Sequence, residues 1–396
     1  SAQAYEASLV TASIYDAARE ARASGVPTTA PSLVIENPSC WSRGGIQMFR
    51  IPASATYGRQ AFKLVDAAAG KAVAMHKVRG APVFDSMVAI DVPPVPPMGY
   101  RVLQIDETGP DPDLSTDLRC AGNVLENAYY RVEVDATMGV LSSLRDKKRN
   151  RELAGKGKYG LLQYVYERVP ERPGRGLFWP RRKELEFDRT VPDSVRISQG
   201  HDGPLVKSLR INSRVGERHS IECELLLCRA TPRLDVRLTI HKPGNTGPEA
   251  GYLAFPLALD KPVFDLDAVG GTFQPGPGQI DRTASDYHSV QRYVRVSEVA
   301  DEGLDMIIAT LATPLVQIGD IHVGKYQQRL APPGPLFYMW LFNNYWFTNF
   351  PASQEGELQF GFALTSRRHG DDAVSAAHRF GVETCRPLAI VYRPEG

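Results

Sequence analysis

Cysteine is sparse in this chain: Cys40, Cys120, Cys223, Cys228 and Cys385 are the only five in 396 residues. An odd count without a dense framework excludes a disulfide-stapled secreted scaffold. Cys223 and Cys228 lie five apart in one strand-like run, so they face opposite sides of a sheet and form no local site. Reduced thiols in a cytoplasm are the consequent expectation. Asn-x-Ser/Thr acceptors are missing too, because Asn37 is followed by proline. No apolar run approaches the ~20 residues that a membrane helix needs. Charge of one sign is not in excess: 46 Lys and Arg stand against 45 Asp and Glu, a net of +1. That balance removes any general attraction to nucleic acid or to an anionic membrane. The chain opens on serine with no signal-peptide pattern, so its start reads as cut or processed.

Local catalytic motifs are also absent. There is no H-E-x-x-H, no paired C-x-x-C, no Walker loop and no G-x-S-x-G. The eight histidines are scattered, and none makes an i, i+2 or i, i+4 pair, so no metal site is expected from spacing. Gly276-x-Gly278 has no helix pattern after it and reads as a glycine-proline loop, not a phosphate cradle.

What is present is a strand-rich chain. Hydrophobic residues make up 43% and charged residues 23%. Those proportions exclude global disorder. With 34 glycines and 30 prolines, the composition suits many short strands joined by turns. One long helix stands out within residues 1–31, where Val10, Ile14, Ala17 and Ala21 form a narrow apolar stripe and Gly25 and Pro27 close it. That stripe calls for a partner helix, as at the end of a bundle.

Residues 32–106 read as a small immunoglobulin-like β-sandwich, with short runs about ten residues apart. Residues 107–121, rich in acid, proline and glycine, read as a linker. Residues 122–396 read as a large, almost helix-free β-region. Within it YYRVEVDATMGVLSSLRD predicts a hairpin turning near Met138-Gly139, and SIECELLLC and RLDVRLTIH alternate as neighbours in an antiparallel sheet with one buried face. The segment DDAVSAAHRFG, with Asp at its start and Gly at its end, predicts a short helix. The fold class is therefore mainly β.

Residues Arg145–Lys183 carry 13 Lys or Arg against 4 Asp or Glu. Without a nucleic-acid module, this is read as strands separated by solvated basic loops. The strongest polar-aromatic constellation is WLFNNYWFTNF. Amide side chains bond sugar hydroxyls as donor and acceptor, and an indole face stacks on a pyranose. Strand alternation would put Asn344 and Trp346 on one face, with Asp320 and His322 of QIGDIH as a polar rim. Asp286, Tyr287, His288 and Gln291 form a second candidate group. The bland reading of both is a core strand and its turns.

The stretches VIENPSCWSRGGIQMFRIP, PPMGYRVLQID, LENAYYRVEVDATMGVLSSLRDKKRNREL, SDYHSVQRYVRVS, TPLVQIGDI, LFNNYWFTNFPASQEGELQFGFALT and RPLAIVY, in this order, resemble the middle and C-terminal β-region of glycoside hydrolase family 38, the α-mannosidase type. The resemblance implies an end-of-bundle helix, a small sandwich and a supersandwich of the galactose-mutarotase type. In that family the nucleophile, the acid/base and the zinc ligands lie in an N-terminal barrel, which these residues do not contain. No catalytic residue is therefore carried over, and zinc is expected only in the barrel. The implied role is that of a bacterial, cytoplasmic β-region that partners the rest of its own longer chain, contacts carbohydrate and is inactive alone. The alternatives are a free-standing carbohydrate-binding or mutarotase-like protein and a non-enzymatic interaction platform.

Overall fold

The computed structural model describes residues 2–52, 55, 62–78, 86–169, 187–300, 303–321, 328–332, 334–345 and 352–394. The chain divides into two compact units: Ser1–Thr116 with His201–Val206 and Pro387–Gly396, and Asp117–Gly200 with Lys207–Arg386.

In the first unit, helix α1 spans Ala2–Ser24. Its predicted stripe is not covered within the described residues: Val10 is 56% and Ile14 64% exposed. The helix is held instead by its C-terminal end. Ala23 packs on Val34, Val102 and Val391, Arg19 Nη2 donates to the Ile390 carbonyl at 2.8 Å, and Arg22 pairs with Glu36 at 2.8 Å. Among the described residues, a five-stranded antiparallel sheet runs in the order 389–393, 32–36, 100–106, 63–66, 71–73, and a three-stranded sheet in the order 43–51, 86–95, 75–77. Leu33, Ile35, Leu64 and Leu103 of the first share one core with Ile51, Val88 and Ile90 of the second, which makes a small sandwich.

The grouping of 122–396 needs one correction. Strand Ala389–Arg393 leaves the second unit and pairs antiparallel with Ser32–Glu36, Ile35 opposite Ile390. Alternation identifies a strand, but a partner at the far end of the chain is chosen by burial of Leu388 and Ile390 in that core. The expected linker is also shorter than 107–121, since Arg119–Ala121 already pairs with Val124–Glu126.

In the second unit the strand Val124–Glu126 pairs with the first arm of the hairpin Tyr130–Val134/Leu141–Asp146, in which Tyr130, Val132 and Val134 are buried. Its turn is where the sequence places it. Asp135 Oδ1 accepts from the Thr137 and Met138 amides at 2.8 Å, and Gly139 takes φ 68°. An aspartate that caps its own turn and a glycine free to adopt positive φ are the residues such a reversal requires. A six-stranded sheet (188–190, 163–168, 249–256, 336–343, 315–318, 288–289) faces a nine-stranded one (194–202, 206–215, 219–228, 234–242, 356–368, 304–311, 293–298, 262–268, 271–273). The predicted alternation holds: Cys223 opposes Leu238 and Leu225 opposes Val236, all buried against Leu253, Phe255 and Phe337 of the other sheet. The fold is mainly β and antiparallel, as expected.

Helix α2, Ala373–Cys385, covers Tyr293 and Ile307 on the outer face of the nine-stranded sheet. The sequence ends this helix at Gly381, but the helix continues. A Cβ there would stand 2.8 Å from the Tyr293 ring and 3.1 Å from Arg292 Cβ, so glycine serves close packing, not termination. The five cysteines are free, and burial pushes the Cys223 thiol up to about 12.

Candidate functional site

Three central strands of the six-stranded sheet decide what each of its faces carries. Period-2 alternation sends Tyr164, Tyr166, Leu253, Phe255, Phe337 and Met339 into the core between the sheets. The opposite face receives Val165, Glu167, Tyr252, Tyr338 and Trp340, and its apolar residues form a separate cluster with Tyr159, Ile321 and Tyr345. Tyr252 and Trp340 are cross-strand partners, stacked at 5.9 Å with their planes 17° apart. Tyr287 meets the same indole edge-on at 5.4 Å, and Tyr159 meets Tyr338 at 6.1 Å.

A fully buried carboxylate sits in this aromatic setting. Arg189 Nε donates to Glu167 Oε2 at 2.5 Å, and the Tyr345 hydroxyl donates to Glu167 Oε1. The Tyr252 and Tyr345 hydroxyls are 3.2 Å apart. Burial pushes the Tyr345 phenol well above its ordinary range, with the nearby Tyr252 and Glu167 adding to it, so it remains a donor. Burial also opposes the charge on Arg189, yet the Glu167 carboxylate prevails and holds the guanidinium protonated. The same guanidinium reaches the loop after strand Leu315–Ile318. Its Nη2 donates to the Ile321 carbonyl at 3.1 Å, and its Nη1 stands 4.0 Å from Asp320 Oδ1.

A second polar group lies inside the sandwich and joins its two sheets. Lys242, fully buried, pairs with Glu249, whose Oε2 also accepts from the Tyr166 hydroxyl and Asn245 Nδ2 at 2.7 Å each. His219 Nδ1 is 2.9 Å from the Tyr164 hydroxyl, and its ring lies 4.4 Å from that of Tyr166. Burial brings His219 down to about 4, so its imidazole is neutral at pH 7.

The residues singled out from sequence are distributed unevenly over these features. Asn344 is buried, and its amide is committed to the chain itself. Nδ2 donates to the carbonyls of Asn245, Gly247 and Ala352 at 2.9–3.0 Å, and Oδ1 accepts from the Glu249 amide at 2.7 Å. It fastens turns and is not a free sugar contact. The strand ends at Asn343, and of the two residues expected on one face beyond it only Asn344 is described. Trp346 and His322 lie outside the described residues. Asp320 is exposed beside Arg189. Tyr287 joins the aromatic face, whereas His288 turns to Gln279, with Nε2 3.0 Å from Oε1. That Gln279 oxygen also accepts from the Gly276 amide at 2.9 Å, so His288 helps fix the glycine-proline loop. Asp286 is half-buried and Gln291 exposed; the Gln291 amide donates to the Asp267 carbonyl at 2.9 Å.

Glu167, Arg189, Tyr252, Trp340 and Tyr345 were not singled out. The alternation of QYVYER contained the signal for Glu167, since it puts a charge between apolar neighbours on a two-sided buried strand. Nothing local marks Arg189. The basic loops behave as solvated surface where described: Lys147 pairs with Glu126 at 2.5 Å, Arg149 with Asp146 at 2.8 Å and Arg151 with Glu298 at 3.1 Å. Residues 170–183 of that stretch lie outside the described set.

Each buried carboxylate among the described residues has a cation within 4.0 Å, as in Glu167–Arg189, Glu249–Lys242, Asp265–Arg295, Asp267–Arg292, Asp66–Arg101 and Glu224–Arg210. None stands alone in an apolar pocket, the setting of a glycosidase general acid. Among the described residues no three His, Cys, Asp or Glu side chains converge to hold a metal. No described helix is long and apolar enough to cross a membrane.

Residues 125–274 match the family model for the glycosyl hydrolases family 38 C-terminal domain. That segment is similar to the family 38 C-terminal domain. The fold around it agrees. An alpha-mannosidase from Enterococcus faecalis superposes with a TM-score of 0.65 at 16% identity, covering 94% of this chain and 47% of that one. A glycosyl hydrolase family 38 protein from the same organism gives 0.64 at 15% identity, covering 93% and 48%. The fold of those two structures extends over nearly all of this chain, which spans about half their length. No curated protein sequence matches the chain.

Proposed function

We propose that this chain is the β-region of a family 38-type glycoside hydrolase, α-mannosidase-like in its parent protein. It supports a catalytic barrel and helical bundle that belong to the rest of that protein, hydrolyses nothing alone, and contacts carbohydrate. The observation that carries this reading is the match of residues 125–274 to the family 38 C-terminal domain, together with the fold shared over nearly the whole chain with two family 38-type structures. The exposed stripe of α1 is the surface for the helical remainder. The mutarotase alternative needs an accessible acid and base, a role that the buried His219 and Glu249 do not fill.

The purified chain should show no turnover of aryl α-mannosides or of a panel of other aryl glycosides. It should show saturable binding of methyl α-D-mannopyranoside by saturation-transfer NMR. Turnover that a point mutation within these residues abolishes would overturn the first part. Absence of binding by any sugar in the panel would overturn the second.

A further inference from the structure

One buried carboxylate holds an amine and an amide together. Glu249 Oε1 pairs with Lys242 Nζ, and Glu249 Oε2 accepts from Asn245 Nδ2 at 2.7 Å. Groups bound to the two oxygens of one carboxylate are held side by side, so Nζ and the Asn245 amide are neighbours. The lysine and glutamate side chains are 0% and 2% exposed, and Nζ lies 5.5 Å from the centre of the Phe342 ring. Asn245 Oδ1 accepts from the Gly247 amide at 3.0 Å. Asn344, bonded to the Asn245 and Gly247 carbonyls and to the Glu249 amide, clamps this turn to the glutamate. The parts of an acyl transfer are therefore assembled. There is a nucleophilic nitrogen, an acid/base touching both it and the leaving nitrogen, and an N–H on the oxygen that gains charge.

We propose that Lys242 and Asn245 join in an amide cross-link, with Glu249 as the catalytic acid/base and Asn344 as a positioning residue. A proton passes from Nζ to Glu249, which discharges both partners in a dry interior and leaves an electron pair on the amine. Nζ attacks Asn245 Cγ. The Nζ–Cγ bond forms, and the carbonyl electron pair moves to Oδ1, where the Gly247 amide steadies it. Glu249 gives its proton to Nδ2, the Cγ–Nδ2 bond breaks as the carbonyl re-forms, and ammonia leaves. Glu249 takes the surplus proton from Nζ and ends as the neutral acid. No oxidant, reductant or second substrate enters. The product closes a ring over residues 242–245 and pins the turn between strands Leu234–Lys242 and Glu249–Pro256. The cross-link is independent of any carbohydrate contact.

Intact-mass spectrometry of the folded, purified chain tests this directly. The mass should fall below the sequence value by one ammonia, about 17 Da. Fragmentation should give no backbone ions from within residues 242–245 while the flanking cleavages remain, because that segment is a closed ring. Glu249→Gln keeps the size and the hydrogen-bonding atoms but cannot carry the proton, and should show the full sequence mass with a native circular dichroism spectrum. Asn245→Ala, at a half-buried turn position, removes the acyl group and should also show the full mass. The full sequence mass in folded wild type overturns the proposal, whatever the variants do. A loss of one ammonia that persists in Lys242→Arg, or that hydroxylamine cleaves, is a cyclic imide and overturns it as well. A ring that Glu249→Gln still closes overturns the glutamate's assignment as acid/base.

Discussion

Replacing Asn344 with alanine separates a structural amide from a sugar contact. The side chain is buried, donates to three carbonyls and accepts one backbone amide. A net hydrogen bond contributes about 0.5–1.5 kcal/mol, and a buried group left without its partner costs about 1–3 kcal/mol. The Glu249 amide and at least one carbonyl lose their partner, so the loss should be about 3 kcal/mol. For a domain of this size, each kcal/mol lowers the melting temperature by about 2–4 °C. The second unit should therefore melt about 6–12 °C lower. Urea unfolding followed by tryptophan fluorescence measures the loss directly, and Asn344→Asp should recover only part of it, because the acceptor returns without the donors. A loss under about 1 kcal/mol, together with weakened binding of methyl α-D-mannopyranoside, would refute the reasoning and return Asn344 to the ligand.

Three further outcomes follow from the interior and from the chain end. His219, held neutral to about pH 4 among Tyr164, Tyr166, Glu249, Lys242 and Arg218, is protonated more readily when unfolded, near 6.5. Its contribution is complete above pH 6.5 and is lost as the pH falls towards 4, by roughly 3 kcal/mol in all. His219→Phe should flatten the stability profile between pH 6.5 and about 5, and an unchanged slope in urea titrations would count against the buried neutral ring. Lys242→Met leaves Glu249 buried without its cation and should cost about 3–5 kcal/mol, part of which Lys242→Met with Glu249→Gln recovers. A double-mutant cycle showing no coupling would refute the inter-sheet pair. Deleting residues 387–396 uncovers Leu33 and Ile35, so the first unit should melt earlier and bind a hydrophobic dye while the second keeps its transition. Unchanged calorimetric transitions would refute the role of the last strand.

Periodicity carries information about one strand and its faces, and there the sequence was sufficient. It determined the mainly β class, the hairpin turning through Asp135 and Gly139, the inward row of Cys223, Leu225 and Leu227, and the family 38 resemblance that the match over residues 125–274 now shows. Tertiary structure alone decided which strands from distant parts of the chain pair, because that choice depends on the core two sheets share. It moved Ala389–Arg393 to the first unit and carried α2 through Gly381 onto Tyr293. It also decided the polar contacts. Asn344 and Asp320 look alike in sequence as polar residues beside aromatic strands. Only the fold shows that one amide is consumed by the backbone of Asn245, Gly247 and Ala352, while the other side chain stands exposed beside an arginine from another strand. A hydrogen bond needs its partner within about 3 Å, and no pattern along the chain specifies a distance between residues 167, 189 and 345.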